Sequence, residues 1–151
     1  MSDDPRAVAR KFYEVMDNWD PAALAEICSS SLKGHAGAGA DLEQLKGSIG
    51  SFLVSFPDLR ADVRHLVCEG DLVSTWVSYS GTHKDEFAGM PASGRPVKFA
   101  AWDLFRVVDG KIVEITQYCD VFTILNQIGA LPTASPPDEY AGIEQPTGQP
   151  A

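Results

Sequence analysis

Residues 97–119 contain the feature that most constrains the fold, an alternating apolar pattern interrupted by Asp109 and Gly110. Asp-Gly is a preferred two-residue hairpin turn, because both of its positions tolerate a positive φ. The pattern therefore predicts two antiparallel strands joined by a tight turn. Residues 59–83 alternate in the same way around the Glu-Gly-Asp sequence at 69–71, which predicts a second hairpin.

The chain before residue 57 has the periodicity of helices instead. Val8, Phe12, Val15 and Trp19 are spaced by four, three and four residues, so they lie on one helical face. Three segments each follow an aspartate suited to an N-cap, namely Asp4, Asp20 and Asp41. The glycine- and serine-rich residues 29–41 between the second and third helices are predicted to form a loop.

Asp120 directly precedes an apolar run that ends before Gly129, which predicts a short final helix with Asp120 as its cap. The order of elements is three helices, four strands and one helix. This order predicts an α+β fold in which a curved antiparallel sheet wraps the N-terminal helices and leaves a concave interior. Such concave interiors are common binding sites for small molecules.

The charge of the chain excludes several partner classes. A formal net charge of -9 repels phosphate backbones and anionic headgroups, so neither nucleic acid nor a membrane is expected as a partner.

The three cysteines are odd in number and widely separated, which predicts neither a disulfide framework nor a zinc site. With no signal-peptide pattern at the N-terminus, we expect a cytoplasmic protein.

The strand half of the chain resembles the SnoaL-like polyketide cyclase family, within the cone fold shared with nuclear transport factor 2 and ketosteroid isomerases. The segments that carry this resemblance are FPDLRADV (56–63), EGDLV (69–73), SGTH (80–83), EFAGMPASGRPV (86–97), DLFRVVDGKIVE (103–114) and, from Asp120, LNQIG (125–129). Their order and spacing together are more specific than any one of them.

The resemblance implies a cone-shaped domain with an internal pocket over residues 1–131. Residues 132–151 are rich in Pro, Gly and polar side chains, and this composition predicts a flexible tail. The resemblance also implies intramolecular aldol condensation of a polyketide by acid/base chemistry without metal or cofactor, and a homodimer formed through the outer sheet face. The wider fold also contains isomerases, epoxide hydrolases and non-catalytic binding proteins, so the fold alone does not fix the function.

The register of the second hairpin places the candidate site residues. The best cross-strand matches pair Arg106 with Glu114, Phe105 with Ile115 and Val107 with Val113. This register puts Asp103 opposite Gln117. If that face lines the pocket, burial raises the pKa of Asp103 toward the range of a useful base; the alternative is that Asp103 only bonds a loop or helix end.

Gln117 stands where the resemblance implies an acid/base aspartate, and Asp103 stands where it implies a histidine. An amide cannot exchange protons as a carboxylate does, although it can hold a carbonyl oxygen. Either the acid has moved across the hairpin to Asp103, or cyclase activity is absent. Gln117 is then a substrate-binding residue or a plain surface residue, and Asp120 is explained by helix capping.

Two histidines complete the catalytic candidates. His35 lies in the predicted loop, where relatives have a polar residue that contacts the substrate, and its imidazole could relay a proton; the alternative is a solvent-facing side chain. His83 ends a strand before the flexible loop and is either a pocket-mouth residue or a structural one. The chain's three histidines lack a metal-ligand spacing, so no metal site is predicted.

Four large side chains are candidate substrate contacts. Phe87 and Met90 belong to the loop between the hairpins and are candidates for a lid. Trp102 and Tyr118 flank the Asp103–Gln117 pair, although core or interface packing would also explain them. The sequence thus favours an acid/base enzyme acting on a hydrophobic, carbonyl-containing small molecule; an epoxide or ester hydrolase and a non-catalytic binding protein remain open.

Overall fold

The computed structural model describes residues 3–130, so the predicted boundary at residue 131 and the tail 132–151 lie outside the described residues. The described chain contains α1 (Pro5–Asp17), α2 (Pro21–Ile27), β1 (Cys28–Ala36), α3 (Leu42–Ser55), β2 (Arg60–Glu69), β3 (Leu72–Thr82), β4 (Pro96–Val108), β5 (Lys111–Cys119) and α4 (Val121–Gln127). The α+β prediction is confirmed.

The predicted helix caps are all present. Asp4, Asp20 and Asp41 each accept a hydrogen bond from a backbone N–H in the first turn of α1, α2 and α3. Asp120 accepts from the Thr123 backbone N–H at 3.0 Å and from its hydroxyl at 2.6 Å, which confirms its role as the cap of α4. These bonds satisfy donors that the first helical turn leaves unpaired.

The strands form one curved, unclosed sheet in the order β1-β5-β4-β3-β2. The predicted hairpin register is confirmed for Arg106 with Glu114 and for Asp103 with Gln117. Near the turn it is wrong, because an irregularity after Arg106 pairs Val107 with Ile112 instead of Val113. One extra residue on β5 is accommodated there as in a β-bulge.

The predicted loop at residues 29–41 is wrong for its first part, because residues 28–36 form the edge strand β1. This strand runs parallel to β5, with His35 beside Thr116 and Ala36 beside Gln117. Its serines and glycines give no clear alternation, so the strand depends on backbone pairing with a distant segment. At Gly34 the chain folds back so closely that a Cβ would collide with the Gly39 carbonyl oxygen.

The main core lies between α1 and the concave face of the sheet. Phe12 on α1 and Phe105 on β4 are completely buried, and their rings meet edge to face with centroids 5.2 Å apart. A buried aromatic pair of this geometry stabilises the fold beyond the area it removes from water. No helix within residues 3–130 has the length and apolar content needed to cross a bilayer.

Candidate active site

A cavity of about 110 Å³ lies between the concave face of the sheet and helices α1 and α3. Most of its lining is apolar, contributed by Met16, Ile49, Phe52, Leu59, Phe99 and Ala101. Three polar side chains from three neighbouring strands also line it: Tyr79 on β3, Asp103 on β4 and Gln117 on β5. The predicted catalytic aspartate and the predicted substrate-binding glutamine therefore share one cavity.

The alternation of β4 explains how a carboxylate reaches this interior. Phe99, Ala101, Asp103 and Phe105 are buried, whereas the residues between them are only partly buried. Asp103 is 1% exposed, so its carboxylate is almost completely removed from solvent. A charge in such a place needs hydrogen-bond partners, because desolvation disfavours the ionised form.

Tyr13 on α1 supplies one partner. Its hydroxyl donates to Asp103 Oδ2 at 2.5 Å and lies 2.6 Å from Thr75 Oγ1. Since the tyrosine proton is directed to the carboxylate, the Thr75 hydroxyl is the donor in the second bond. The order Thr75 to Tyr13 to Asp103 satisfies both hydroxyls in the interior.

The pKa of Asp103 reflects the competition between burial and these bonds. Burial raises it from its ordinary value to about 6, while hydrogen bonds from Tyr13 and Gln117 lower it. Near neutral pH the carboxylate is therefore ionised, yet much more basic than a solvent-exposed aspartate. A pKa close to the working pH is what general acid/base catalysis requires.

Tyr79 is a second hydroxyl in the cavity, 5% exposed, with its ring stacked on Phe99 at 5.4 Å. Burial raises the pKa of its phenol above the ordinary value, and the charge of Asp103 acts in the same direction. The hydroxyl donates to the Met16 thioether sulfur at 3.8 Å, which is a weak acceptor. A better acceptor in the cavity, such as a carbonyl oxygen, can replace that sulfur.

Sequence reasoning did not identify Tyr13 or Tyr79 as site residues. Tyr13 follows Phe12 in the buried face of α1, and Tyr79 continues the buried parity of Val73 and Val77 on β3. A tyrosine within an apolar pattern could have indicated them. Its hydroxyl needs a hydrogen-bond partner when it is buried, so such a tyrosine predicts a polar group in the core opposite it.

His83 lies outside the cavity. It is completely buried, its Nδ1 accepts from the Ser93 backbone N–H at 3.1 Å, and the Ser93 hydroxyl lies 2.9 Å from the same atom. Within the described residues, its Nε2 has no hydrogen-bond partner. The contacts place His83 as an anchor of the segment between β3 and β4, away from Asp103.

His35 also lies outside the cavity, on β1 rather than in a loop. Its Nε2 is 3.7 Å from Glu114 Oε2, and the side chains of the pair are 53% and 39% exposed. A contact between two side chains so exposed contributes little to stability. The structure therefore does not bring either histidine to Asp103.

Trp102 and Tyr118 stack on each other with ring centroids 6.2 Å apart. Tyr118 belongs to the cavity rim, but its side chain is 60% exposed. The Trp102 indole N–H donates to Ser74 Oγ at 2.7 Å, and Trp102 does not line the cavity. Both rings belong to positions that alternate with the cavity-facing Asp103 and Gln117.

Phe87 and Met90 flank the tip of the segment between β3 and β4. They pair with each other around Ala88 and Gly89, both of which have the positive φ that a type I′ turn requires. Phe87 packs on Phe52 and lines a second hollow beside the cavity, whereas Met90 lines neither space. Within residues 3–130, no three His, Cys, Asp or Glu side chains lie close enough to hold a metal ion.

The geometry of residues 3–130 defines a class of protein: an α+β cone whose concave sheet lines a small, mostly apolar cavity that contains the buried carboxylate of Asp103. The family model for SnoaL-like polyketide cyclases matches residues 6–128. The chain belongs to the SnoaL-like polyketide cyclase family. No curated protein matches the sequence.

Solved structures with the same fold agree with this membership. IdmH from Streptomyces antibioticus, assigned as a polyketide cyclase, is 32% identical with a TM-score of 0.76, over 83% of this chain and 99% of its own. AclR from Streptomyces galilaeus, assigned as a hydroxylase, is 24% identical with a TM-score of 0.78, over 85% of this chain and 98% of its own. The second likeness concerns the fold alone.

Proposed function

We propose that this protein is an acid/base enzyme of the polyketide cyclase type, which closes a ring in a hydrophobic, carbonyl-containing small molecule by intramolecular aldol condensation. The observation that carries the proposal is the Asp103 carboxylate, which is buried, has a pKa of about 6 and faces an apolar cavity. Family membership supports the same reaction type.

In this proposal Asp103 removes a proton from the carbon next to a substrate carbonyl. The C–H electron pair moves into the bond to the carbonyl carbon, and the carbonyl oxygen takes the negative charge of an enolate. The enolate carbon then attacks a second carbonyl of the same molecule, which forms the new C–C bond. The protonated Asp103 returns its proton to the resulting alkoxide, so the carboxylate is regenerated.

Tyr79 and Gln117 are the proposed stabilisers of the enolate oxygen. Among residues 3–130 the Tyr79 hydroxyl has only the Met16 sulfur as an acceptor, so it is available to a developing oxyanion. A hydrogen bond from Gln117 lowers the pKa of Asp103, and because Gln117 lines the cavity, its second amide N–H is the proposed donor to the substrate. Donors fixed before the reaction stabilise charge without reorganising, which is commonly a large contribution to catalysis.

The departure from the family pattern is consistent with this assignment. The resemblance implies a catalytic aspartate at position 117, where this chain has glutamine. Asp103 and Gln117 are direct cross-strand neighbours. Exchanging a carboxylate across such a pair moves it by only about 5 Å and keeps it on the same face of the sheet.

Proton exchange at carbon tests the proposal without knowledge of the natural substrate. The protein would be incubated in D₂O with 1-phenylpropan-2-one and with 2-tetralone, and deuterium uptake beside the carbonyl would be followed by NMR. We expect uptake faster than in buffer, and Asp103→Asn should abolish the acceleration. Asp120→Asn, which changes an exposed helix cap, is the matched control. Wild-type exchange at the buffer rate for both ketones would contradict the proposal, and binding without exchange would indicate a non-catalytic binding protein.

A hydrolase is the second candidate, because Asp103 and Gln117 lie side by side as an acceptor and a donor and could hold a water. Asp103 would then deprotonate that water for attack on an epoxide or ester. Reaction in ¹⁸O-labelled water separates the two candidates. Hydrolysis places solvent oxygen in the product, whereas the aldol ring closure itself does not.

A further inference from the structure

A second hollow, of about 410 Å³, adjoins the cavity that contains Asp103. It lies between α3 and the segment 85–88, and Ser48 and Phe52 line both spaces. These two residues are four positions apart on α3, so they lie on the same helical face, one turn apart. The two spaces are therefore neighbours along a single edge of α3.

The Phe52 ring stands between the two spaces. Its centroid lies 5.7 Å from that of Phe99, which lines the inner cavity, and 5.5 Å from that of Phe87, which lines the outer hollow. Phe56 packs against the same ring at 5.0 Å but lines neither space. Phe52 is thus the aromatic side chain that touches the walls of both.

The volumes give this partition a consequence. Small-molecule sites commonly enclose roughly 300–1,000 Å³, and the inner cavity of about 110 Å³ is well below that range. A single ring or a short carbonyl segment would fill it. The two spaces taken together fall within the range, which makes the outer hollow the natural place for the rest of a larger substrate.

The lining of the outer hollow indicates what part of a substrate it suits. Three serines of α3 line one side, and Asp85 and Glu86 line the other. Glu86 Oε1 already accepts from the Gly89 backbone N–H at 2.6 Å, and Asp85 Oδ1 accepts from the Glu86 backbone N–H at 2.7 Å. Ser55 donates to the Glu86 carbonyl at 2.5 Å. The remaining carboxylate and hydroxyl oxygens accept hydrogen bonds, and the two acidic side chains repel an anion.

We infer that the substrate site has two chambers divided by Phe52: an inner one for the reacting carbonyl segment and an outer one for a hydroxyl-bearing, non-anionic remainder. Phe52 is the residue that sets how many fused rings can reach across the two chambers. This inference rests on the proposed function for the identity of the reacting segment, but its geometry concerns binding and can be tested without turnover.

The test compares two probes of different length by calorimetric titration of the full chain: 4-hydroxyacetophenone, with one ring, and 1,8-dihydroxyanthraquinone, with three. Phe52→Ala should tighten binding of the three-ring probe by about tenfold or more, and change the one-ring probe by less than about threefold. Phe52→Trp should shift the three-ring probe in the opposite direction. Phe52→Leu replaces the alanine variant if that variant does not fold.

Phe56→Leu is the matched control, since it removes a ring from the same cluster at a residue that lines neither space. An equal gain in Phe56→Leu, an equal change for both probes, or no binding of either probe to any variant would overturn the inference. The ketone exchange assay keeps the proposed function separate. Normal exchange with an unchanged size preference would reject the partition alone, and the predicted size preference without exchange would reject the proposed function alone.

Discussion

Tyr13 on the first helix donates a hydrogen bond of 2.5 Å to Asp103 on strand β4, although the two residues are 90 positions apart in the chain. The bond attaches α1 to the sheet at Asp103, whose carboxylate faces the cavity. It also tunes that carboxylate, because the bond to Tyr13 lowers a pKa that burial raises. Helix packing and the pKa of Asp103 are thereby coupled in this fold.

Removing that hydrogen bond should move the pH dependence of the reaction. In Tyr13→Phe the Asp103 carboxylate loses a donor, so its pKa rises and the acidic limb of the rate profile should shift upward by about one pH unit. Ketone exchange measured from pH 4 to 9 would record the shift. Tyr118→Phe, on an exposed ring, should leave the limb in place, and an unmoved limb in Tyr13→Phe would show that Tyr13 does not tune Asp103.

The wild-type rate should depend on pH through the ionised fraction of Asp103. Since its pKa is about 6, exchange should be constant above neutrality and fall about tenfold per pH unit well below 6. Asp103→Asn should lower the rate by about 10²- to 10⁴-fold at pH 8. An acidic limb near the ordinary aspartate pKa, or activity retained by the asparagine variant, would assign the proton transfer to another group.

The same carboxylate should cost stability at high pH. The pKa of Asp103 is higher in the folded chain than in the unfolded one. At a pH between these two pKa values the folded chain therefore binds more protons than the unfolded chain. The free energy of unfolding consequently falls as pH rises through about 6. A difference of about two pH units corresponds to about 3 kcal/mol as an upper bound. Asp103→Asn should therefore be more stable than wild type in urea unfolding at pH 8, with the advantage shrinking toward pH 4. Asp120→Ala should instead be destabilised, because it removes the cap of α4. An asparagine variant that is less stable at pH 8 would contradict the raised pKa.

Helix α3 contains a glycine that its packing does not require. A Cβ added at Gly50 would have no atom within 4 Å, so Gly50→Ala should raise the free energy of unfolding by about 0.5–1 kcal/mol. Gly34→Ala is the contrasting variant, because its Cβ would collide with the Gly39 carbonyl oxygen and should destabilise the fold. Equal effects of the two substitutions in thermal unfolding would argue against the packing described for either site.

Association through the outer sheet face remains a prediction from the family resemblance. Trp76, Trp102 and Tyr118 are cross-strand neighbours on β3, β4 and β5, and Trp76 and Tyr118 are 50% and 60% exposed. We expect a dimer at micromolar concentration in sedimentation velocity, and a monomer for Trp76→Glu. Val54→Glu, at an exposed position on α3, should remain dimeric. A monomeric wild-type protein at micromolar concentration would contradict this prediction.

Local signals in the sequence were sufficient for much of the site. The alternation of residues 97–119 and the Asp109–Gly110 turn placed Asp103 opposite Gln117, which the register confirms. The caps of the helices were equally readable, because Asp41 and Asp120 bond donors only three residues away. Helix caps and the pairing of hairpin strands are set by neighbouring residues, so a single sequence predicts them; the irregularity that pairs Val107 with Ile112 was not predicted.

The remaining features depend on contacts between distant segments. Strand β1 forms by pairing in parallel with the edge of β5, and the sequence of residues 28–36 has no pattern that predicts this pairing. Tyr13 reaches Asp103 only once α1 packs on the sheet, whereas His35 and His83 are directed elsewhere. The sequence by itself determined which strands pair locally and that Asp103 lies opposite Gln117, whereas the burial of Asp103 in the cavity was established only by the structure. Only the tertiary structure decided which hydroxyls meet that carboxylate and how much space lies before it, because helix docking and sheet curvature arise from packing between segments far apart in the chain.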